Sequence, residues 1–196
     1  MKLYQPTNLT GSATEIMKNQ DLLILLTGPS GVGKTTILQK LLKINPKLVQ
    51  VPIYTTRPSR THSETKISIS DEEFDNLMAA VGGLAEMRVY GFRYAISKSH
   101  LENRWRNQKI AITDYVFRYS EDIKNVNKVI IYLLPPNKTE LIHRLKSRGH
   151  GQNERIESDW QEVTLIQNNP QLVDLAIVND DLDEAVTICE KFINSL

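Results

Sequence analysis

The segment Gly28-Pro29-Ser30-Gly31-Val32-Gly33-Lys34-Thr35, called the phosphate loop below, decides the fold of this chain. It matches the pattern G-x-x-x-x-G-K-[ST], whose glycines let successive backbone N–H groups converge on phosphate oxygens. Residues 22–26 form an apolar run that is too short for a helix and predicts a strand buried on both faces. Residues 36–43 have helical spacing, and Pro46 ends that pattern. A strand, this loop and a helix in succession predict a nucleotide-phosphate site at a helix N-terminus.

Outward from the phosphate loop, short apolar runs alternate with segments of helical spacing. A second strand is predicted at residues 48–54, where Pro52 is expected to end or distort it. Further strands are predicted at residues 109–113, 128–134 and 173–178, and later helices begin near Asn137, Glu154 and Asp181. Buried strands that alternate with helices predict an α/β fold, in which a parallel sheet is covered by helices on both faces.

The stretch between the second and third of these strands has a different pattern. Ser70 and Glu73 form a capping box, which predicts a helix that continues through Ala80. Residues 84–89 and 92–96 flank a Tyr-Gly pair and predict a small antiparallel hairpin. We therefore expect a small insertion with a β-hairpin within the α/β core.

Composition excludes several classes of protein. The 196 residues include 24 Lys and Arg against 23 Asp and Glu, a net charge of +1, which argues against a polybasic nucleic-acid arm or an acidic tail. The single Cys189 excludes an intrachain disulfide framework and a multi-cysteine zinc site. No stretch approaches the roughly 20 apolar residues of a membrane span, and the polar residues 1–20 predict a flexible leader. We expect a cytoplasmic enzyme with no nucleic-acid or membrane partner, and the sequence leaves its oligomeric state open.

Three sets of residues together resemble the guanylate kinase family, within the P-loop nucleoside monophosphate kinases. They occur in the family's order and at about its spacing: Thr27-Gly28-Pro29-Ser30-Gly31-Val32-Gly33-Lys34, then Thr55-Thr56-Arg57-Pro58-Ser59-Arg60, and last Leu134-Pro135-Pro136, Arg148-Gly149 and Val178-Asn179-Asp180-Asp181. The resemblance implies one domain over residues 21–196. It implies a core at 21–54 and 108–196, an acceptor-binding insertion at about 55–97 and a helical lid at about 144–160.

The resemblance implies ATP- and Mg²⁺-dependent phosphoryl transfer to the phosphate of a nucleoside monophosphate, which is GMP in the family. It implies a catalytic role for Lys34 and for two lid arginines, Arg144 and Arg148, that neutralise the transferring phosphoryl group. The Thr35 hydroxyl is the implied Mg²⁺ ligand. The implied ATP-binding residues are Gly28, Ser30, Gly31, Val32, Gly33, Lys34, Thr35, Thr36 and, near the adenine, Asn179.

The resemblance also implies an acceptor site. Arg57 and Arg60 carry guanidinium groups that can bind a phosphate bidentately, and Tyr94 matches a family tyrosine that contacts the same phosphate. Asp114 ends a predicted strand at the carboxyl edge of the sheet and is expected to orient the acceptor or an Mg²⁺-bound water. Simpler interpretations of these residues stay open here. Arg57 and Arg60 would then be a solvated surface pair, Tyr94 would pack the hairpin, and Asp114 would cap a turn.

Several positions depart from the family pattern. Residues 64–70 form a shorter segment without the family's tyrosine. The glutamate that binds guanine in the family falls on Ala85, and the adjacent Glu86 is expected to substitute for it after a slip of one residue. Val116 replaces the second acid of an Asp-x-Asp pair, and Asp159 replaces a third lid arginine. Because the N–H donors of guanine need a carboxylate acceptor, guanine specificity stays open.

Two alternatives follow from these departures. The segments Tyr54-Thr55-Thr56-Arg57-Pro58, Ser63-Glu64 and residues 67–74 resemble the ribose 1,5-bisphosphate phosphokinase branch of the same superfamily, whose acceptor is a sugar phosphate. The other alternative is a nucleotide-binding module with weakened catalysis, because an arginine that reaches the transition-state charge accelerates phosphoryl transfer by several powers of ten.

Overall fold

The computed structural model of the chain describes residues 21–58, 66–81, 83–107, 109–146 and 153–196. The predicted leader at residues 1–20 lies outside these residues. In chain order the elements are β1 (Leu22–Thr27), α1 (Lys34–Ile44), β2 (Leu48–Gln50), β3 (Ile53–Thr55), β4 (Lys66–Ser68), α2 (Asp71–Val81), β5 (Gly83–Val89), β6 (Phe92–Ser97), α3 (Lys98–Arg106), β7 (Ile110–Asp114), β8 (Asn127–Leu134), α4 (Lys138–Lys146), α5 (Asn153–Asn168), β9 (Leu175–Val178) and α6 (Leu182–Ser195).

The larger sheet has five parallel strands in the order β2-β7-β1-β8-β9. Every residue of β1 is buried, because helices or other chain segments cover both faces of the sheet. Leu22, Ile24 and Leu26 pack on one face with α1 and α6, whereas Leu23 and Leu25 pack on the other with α3 and α5. The predicted parallel α/β sheet is therefore confirmed.

The smaller sheet has the strand order β4-β3-β6-β5 and carries the predicted hairpin between β5 and β6. The single strand predicted at residues 48–54 is wrong in one respect. Residues 48–50 join the larger sheet as β2, while residues 53–55 join the smaller sheet as β3. Pro52 lies between them and has no backbone N–H to continue a ladder, so the chain changes sheets at this point.

The structure also adds a strand that the sequence pattern did not predict. β4 pairs in parallel with β3, and Tyr54 lies opposite Ile67 in this pairing. The strand is only three residues long, with a single apolar residue between polar neighbours, so it has too little periodicity to be recognised. None of the helices in the described part of the chain is both long and apolar enough to cross a membrane.

Candidate active site

The phosphate loop connects β1 to α1 in a backbone conformation that depends on glycine. Gly28 has a φ of 131° and Gly33 a φ of 107°, which L-residues with a side chain rarely adopt. A Cβ atom on Gly28 would lie 2.5 Å from the carbonyl oxygen of Leu133, and one on Gly33 would lie 2.5 Å from Nδ2 of Asn179. The loop is therefore held closely between β8 and the residue that follows β9.

Asn179 holds this loop from behind. Its Nδ2 donates to the carbonyl oxygen of Val32 over 2.7 Å, and its backbone N–H donates to the carbonyl of Leu134 over 2.8 Å. The residue is buried, and it is not among the residues that line the cleft described below. The structure assigns its amide to support of the phosphate loop, while the adenine contact implied by the resemblance stays a prediction.

Lys34 is the first residue of α1 and folds back over the loop. Its Nζ donates to the carbonyl oxygens of Gly28 and Pro29 over 2.7 and 2.9 Å. Desolvation lowers the pKa of this ammonium group below its ordinary value, although the charge of Asp114 acts in the opposite direction. Among the described residues, this half-buried ammonium group donates hydrogen bonds to two neutral carbonyl oxygens, which an anion can replace.

A cleft of about 270 Å³ lies between the phosphate loop and the smaller sheet. The loop and α1 supply one side of it, β3 to β6 supply the second, and α5 with the chain after β7 supplies the third. It brings together most of the residues predicted from the sequence, namely Gly28, Ser30, Gly31, Gly33, Lys34, Thr35, Thr36, Arg57, Tyr94 and Asp114. Val32 shares the loop, but its side chain is buried in the core.

The smaller sheet contributes Arg57 and Tyr94 to this cleft. The Arg57 guanidinium lies 5.8 Å from the centre of the Phe92 ring, a cation–π contact that orients the side chain. The Arg57 backbone is held by its N–H, which donates to Thr55 Oγ1 over 3.1 Å, and by its carbonyl, which accepts from Ser68 Oγ over 2.7 Å. Hydrogen bonds to β3 and β4 therefore hold the backbone of Arg57 in place on this side of the cleft.

A second cation on the same side was not predicted from the sequence. Lys66, the first residue of β4, lines the cleft, and its Nζ lies 3.4 Å from Oδ2 of Asp114. This ion pair joins the smaller sheet to the end of β7. Because β4 was not predicted, nothing in the sequence pattern placed this lysine opposite the phosphate loop.

The structure does not bring Glu86 into the cleft. Its carboxylate accepts from Nε and Nη2 of Arg93 over 2.9 and 3.1 Å, and it also pairs with Arg88. The hydrogen bond from Arg93 lowers the pKa of Glu86. Side chains alternate along β5, so Met87 and Val89 line the cleft while Glu86 lies on the opposite face. Ala85 has a φ of 46° at the irregular register before Met87.

The predicted lid arginines lie only partly within the described residues. Arg144 is at the end of α4, where its Nε donates to Oε1 of Glu140 over 2.7 Å and its Nη1 donates to the carbonyl of Asn179 over 3.2 Å. These contacts place it beside the phosphate loop, outside the residues that line the cleft. Arg148 and the acceptor-site candidate Arg60 fall outside the described residues.

Two acids of α5 reach the cleft. Asp159 Oδ2 accepts a hydrogen bond from the backbone N–H of Ser30 over 3.0 Å. Glu162 accepts from the Tyr132 hydroxyl over 3.0 Å, and burial raises its pKa. Asp159 is one of the departures from the family pattern, whereas Glu162 was not predicted from the sequence. Their spacing of three residues puts both on one face of a predicted helix, which is the signal that was available.

A model of the guanylate kinase family matches residues 20–196. The chain belongs to this family. The guanylate kinase of Thermosynechococcus vestitus is 34% identical over 180 residues, which cover 88% of this chain and 93% of that protein. The guanylate kinase of Escherichia coli is 30% identical over 183 residues, covering 90% and 88% respectively. This guanylate kinase family member is therefore a kinase-type phosphotransferase, as predicted.

A solved guanylate kinase from Anaplasma phagocytophilum has the same fold. Its TM-score is 0.71 at 20% identity, and the match covers 90% of this chain and 86% of that one. These comparisons support neither the ribose 1,5-bisphosphate alternative nor the nucleotide-binding module.

Proposed function

We propose that this chain transfers the γ-phosphoryl group of ATP to the phosphate of GMP. The observation that carries the proposal is a cleft that is lined both by Lys34 of the phosphate loop and by Arg57 and Tyr94 of the smaller sheet. Phosphoryl transfer needs two phosphates to be positioned and neutralised together. The names of the relatives support ATP and GMP as the two substrates.

The phosphate loop supplies the ATP end. Backbone N–H groups of the loop and the N-terminal end of α1 favour an anion. When ATP binds, Lys34 exchanges its hydrogen bonds to the carbonyls of Gly28 and Pro29 for hydrogen bonds to phosphate oxygens. The negative phosphate then stabilises the charged ammonium group, which burial destabilises.

The smaller sheet supplies the acceptor end. Arg57 binds the acceptor phosphate as a bidentate donor, and Tyr94 lies beside it in the cleft. The proposal includes the division into a core at 21–54 and 108–196, an acceptor-binding insertion at about 55–97 and a lid at about 144–160. The separate sheet formed by β3 to β6 supports the insertion as a distinct unit.

The residues at the cleft fit Mg²⁺. The Thr35 hydroxyl and the Asp114 carboxylate both line it, and Mg²⁺ prefers hard oxygen ligands. In the described ranges no group of three or more His, Cys, Asp or Glu side chains could hold a metal ion alone. In kinase sites, Mg²⁺ is commonly bound by one or two protein oxygens together with substrate phosphates. When bound, it would neutralise phosphate charge.

The function is tested by measuring ADP release with several acceptors. The assay supplies ATP and Mg²⁺ with GMP, AMP, CMP, UMP or ribose 1,5-bisphosphate in turn. We expect turnover with GMP at a higher kcat/KM than with any other acceptor. Absence of turnover with every acceptor, or turnover with the sugar phosphate alone, would contradict the proposal.

Asp159 gives a prediction for the ATP site. Its carboxylate accepts a hydrogen bond from the Ser30 N–H, which the phosphate oxygens of ATP also need as a donor. The negative charge of the carboxylate also repels those phosphate oxygens. Asp159→Asn is therefore expected to lower the KM for ATP about threefold to tenfold, as removal of a like charge from a partly buried site does. Steady-state kinetics at saturating GMP measure the change.

The control for this variant is Glu157→Gln. Glu157 lies on the same helix, is exposed and pairs with Lys138 over 2.7 Å outside the cleft. Its replacement removes one negative charge from α5 without changing the phosphate loop, so the KM for ATP should stay within about twofold. A higher KM for ATP in Asp159→Asn would show that this carboxylate assists binding.

A further inference from the structure

Lys66 occupies an unusual position for a half-exposed lysine. It comes from the smaller sheet, yet its Nζ reaches the end of β7 in the larger sheet and pairs with Asp114. It lines the same cleft as Lys34 and Arg57. The charge of Lys66 also lowers the pKa of Lys34.

The pair between Lys66 and Asp114 is weak. The two atoms are 3.4 Å apart, and the side chains are 45% and 19% exposed. Ion pairs of this kind contribute little to stability. A phosphate dianion brings more charge and more acceptor oxygens than one carboxylate, so it competes well for the ammonium group.

Lys66 and Arg57 are held by the same small piece of structure. Arg57 follows β3 by two residues, and β3 pairs in parallel with β4, which begins at Lys66. Ser68 of β4 donates from Oγ to the Arg57 carbonyl over 2.7 Å. The two cations are therefore supported by adjacent segments that are hydrogen-bonded to each other, and one ligand can contact both.

We propose that Lys66 binds the acceptor phosphate together with Arg57, leaving Asp114 when the phosphate arrives. The ligand is a phosphate monoester. This inference deepens the proposed function and rests on it for the identity of the acceptor. It assigns a substrate contact to the segment at residues 64–70, which lacks the tyrosine implied by the family resemblance.

The test is the affinity for GMP, measured by calorimetric titration without ATP. Lys66→Met is expected to weaken GMP binding about tenfold to a hundredfold, the usual loss for a hydrogen bond between charged groups. Lys66→Arg, which keeps the charge, is expected to restore most of the affinity. In the kinetic assay the KM for GMP should rise, while the KM for ATP changes less than about twofold.

The control is Lys98→Met. Lys98 is an exposed lysine of α3 that pairs with Glu102 at 3.8 Å and does not line the cleft. It should leave GMP affinity unchanged. Equal GMP affinity in Lys66→Met and the unaltered chain would overturn the inference, even if the unaltered chain turns over GMP. Binding that depends on Lys66 without any turnover would overturn the proposed function alone, and a chain that bound no GMP would overturn both.

Discussion

Lys34→Met is expected to lower kcat/KM for ATP by about a thousandfold or more, the range found when a group that stabilises transition-state charge is removed. The Lys34 ammonium group is the cation of the phosphate loop, and it donates hydrogen bonds to two loop carbonyls. Burial already penalises its charge, so its loss should cost the fold little. Steady-state kinetics and thermal unfolding measure the two effects separately.

The matched control for this variant is Lys40→Met. Lys40 lies on the same helix, pairs with Asp183 over 2.7 Å and is half-exposed outside the cleft. Its replacement should change kcat/KM by less than about twofold. If Lys34→Met retained most of the activity of the Lys40→Met protein, the assignment of the phosphate loop to ATP would be wrong.

Gly28→Ala is the second substitution with a large expected effect. The new Cβ would lie 2.5 Å from the carbonyl oxygen of Leu133, a backbone atom of a central strand that cannot move by itself. Overpacking and a strained positive φ each cost about 1–3 kcal/mol, so the free energy of unfolding should fall by about 2–6 kcal/mol. The loop should also lose its convergent N–H groups, and ATP binding with them.

Gly91→Ala separates the two causes. Gly91 also has a positive φ, of 79°, but nothing lies within 4 Å of the position of its Cβ. This variant should lose only the conformational term, about 1–2 kcal/mol, and should keep ATP binding. Chemical denaturation and nucleotide titration of both proteins provide the comparison. Equal losses in the two variants would mean that the close approach to Leu133 is not a constraint.

The parts of the fold that follow local patterns were predictable from the sequence. The phosphate loop combines a fixed glycine spacing with a buried strand and a helix, and the structure contains that unit. The capping box was equally clear: Glu73 accepts from Ser70, and Ser70 Oγ accepts from the Glu73 N–H over 3.1 Å. These features depend on residues that are neighbours in sequence, so the pattern contains the information.

The parts that depend on pairing between distant segments were not predictable. Lys66 reaches the cleft only because a three-residue strand joins β3, and no periodicity indicates that strand. Glu86 is one residue from the position implied by the family. An irregular register between Leu84 and Met87 decides which side chains line the cleft. A shift of one residue in strand register moves every side chain to the opposite face of the sheet, and the sequence does not reveal such a shift.

Asn179 is another residue whose contacts could not be predicted from the sequence. The resemblance implies a contact with adenine, and a surface amide would suit that role. In the structure the residue is only 5% exposed, because its amide donates to the carbonyl of Val32 behind the phosphate loop. The side chain supports the geometry of the loop, and this contact spans 147 positions in the chain. Only tertiary packing reveals it.

In the proposed reaction, two phosphates meet in one cleft and a phosphoryl group passes directly between them. The most direct measurement follows the label from γ-labelled ATP in the presence of Mg²⁺ and GMP. We expect the label to appear in GDP with the unaltered chain, and to stay in ATP with Lys34→Met. Label that appeared in inorganic phosphate with no labelled GDP would contradict the claim.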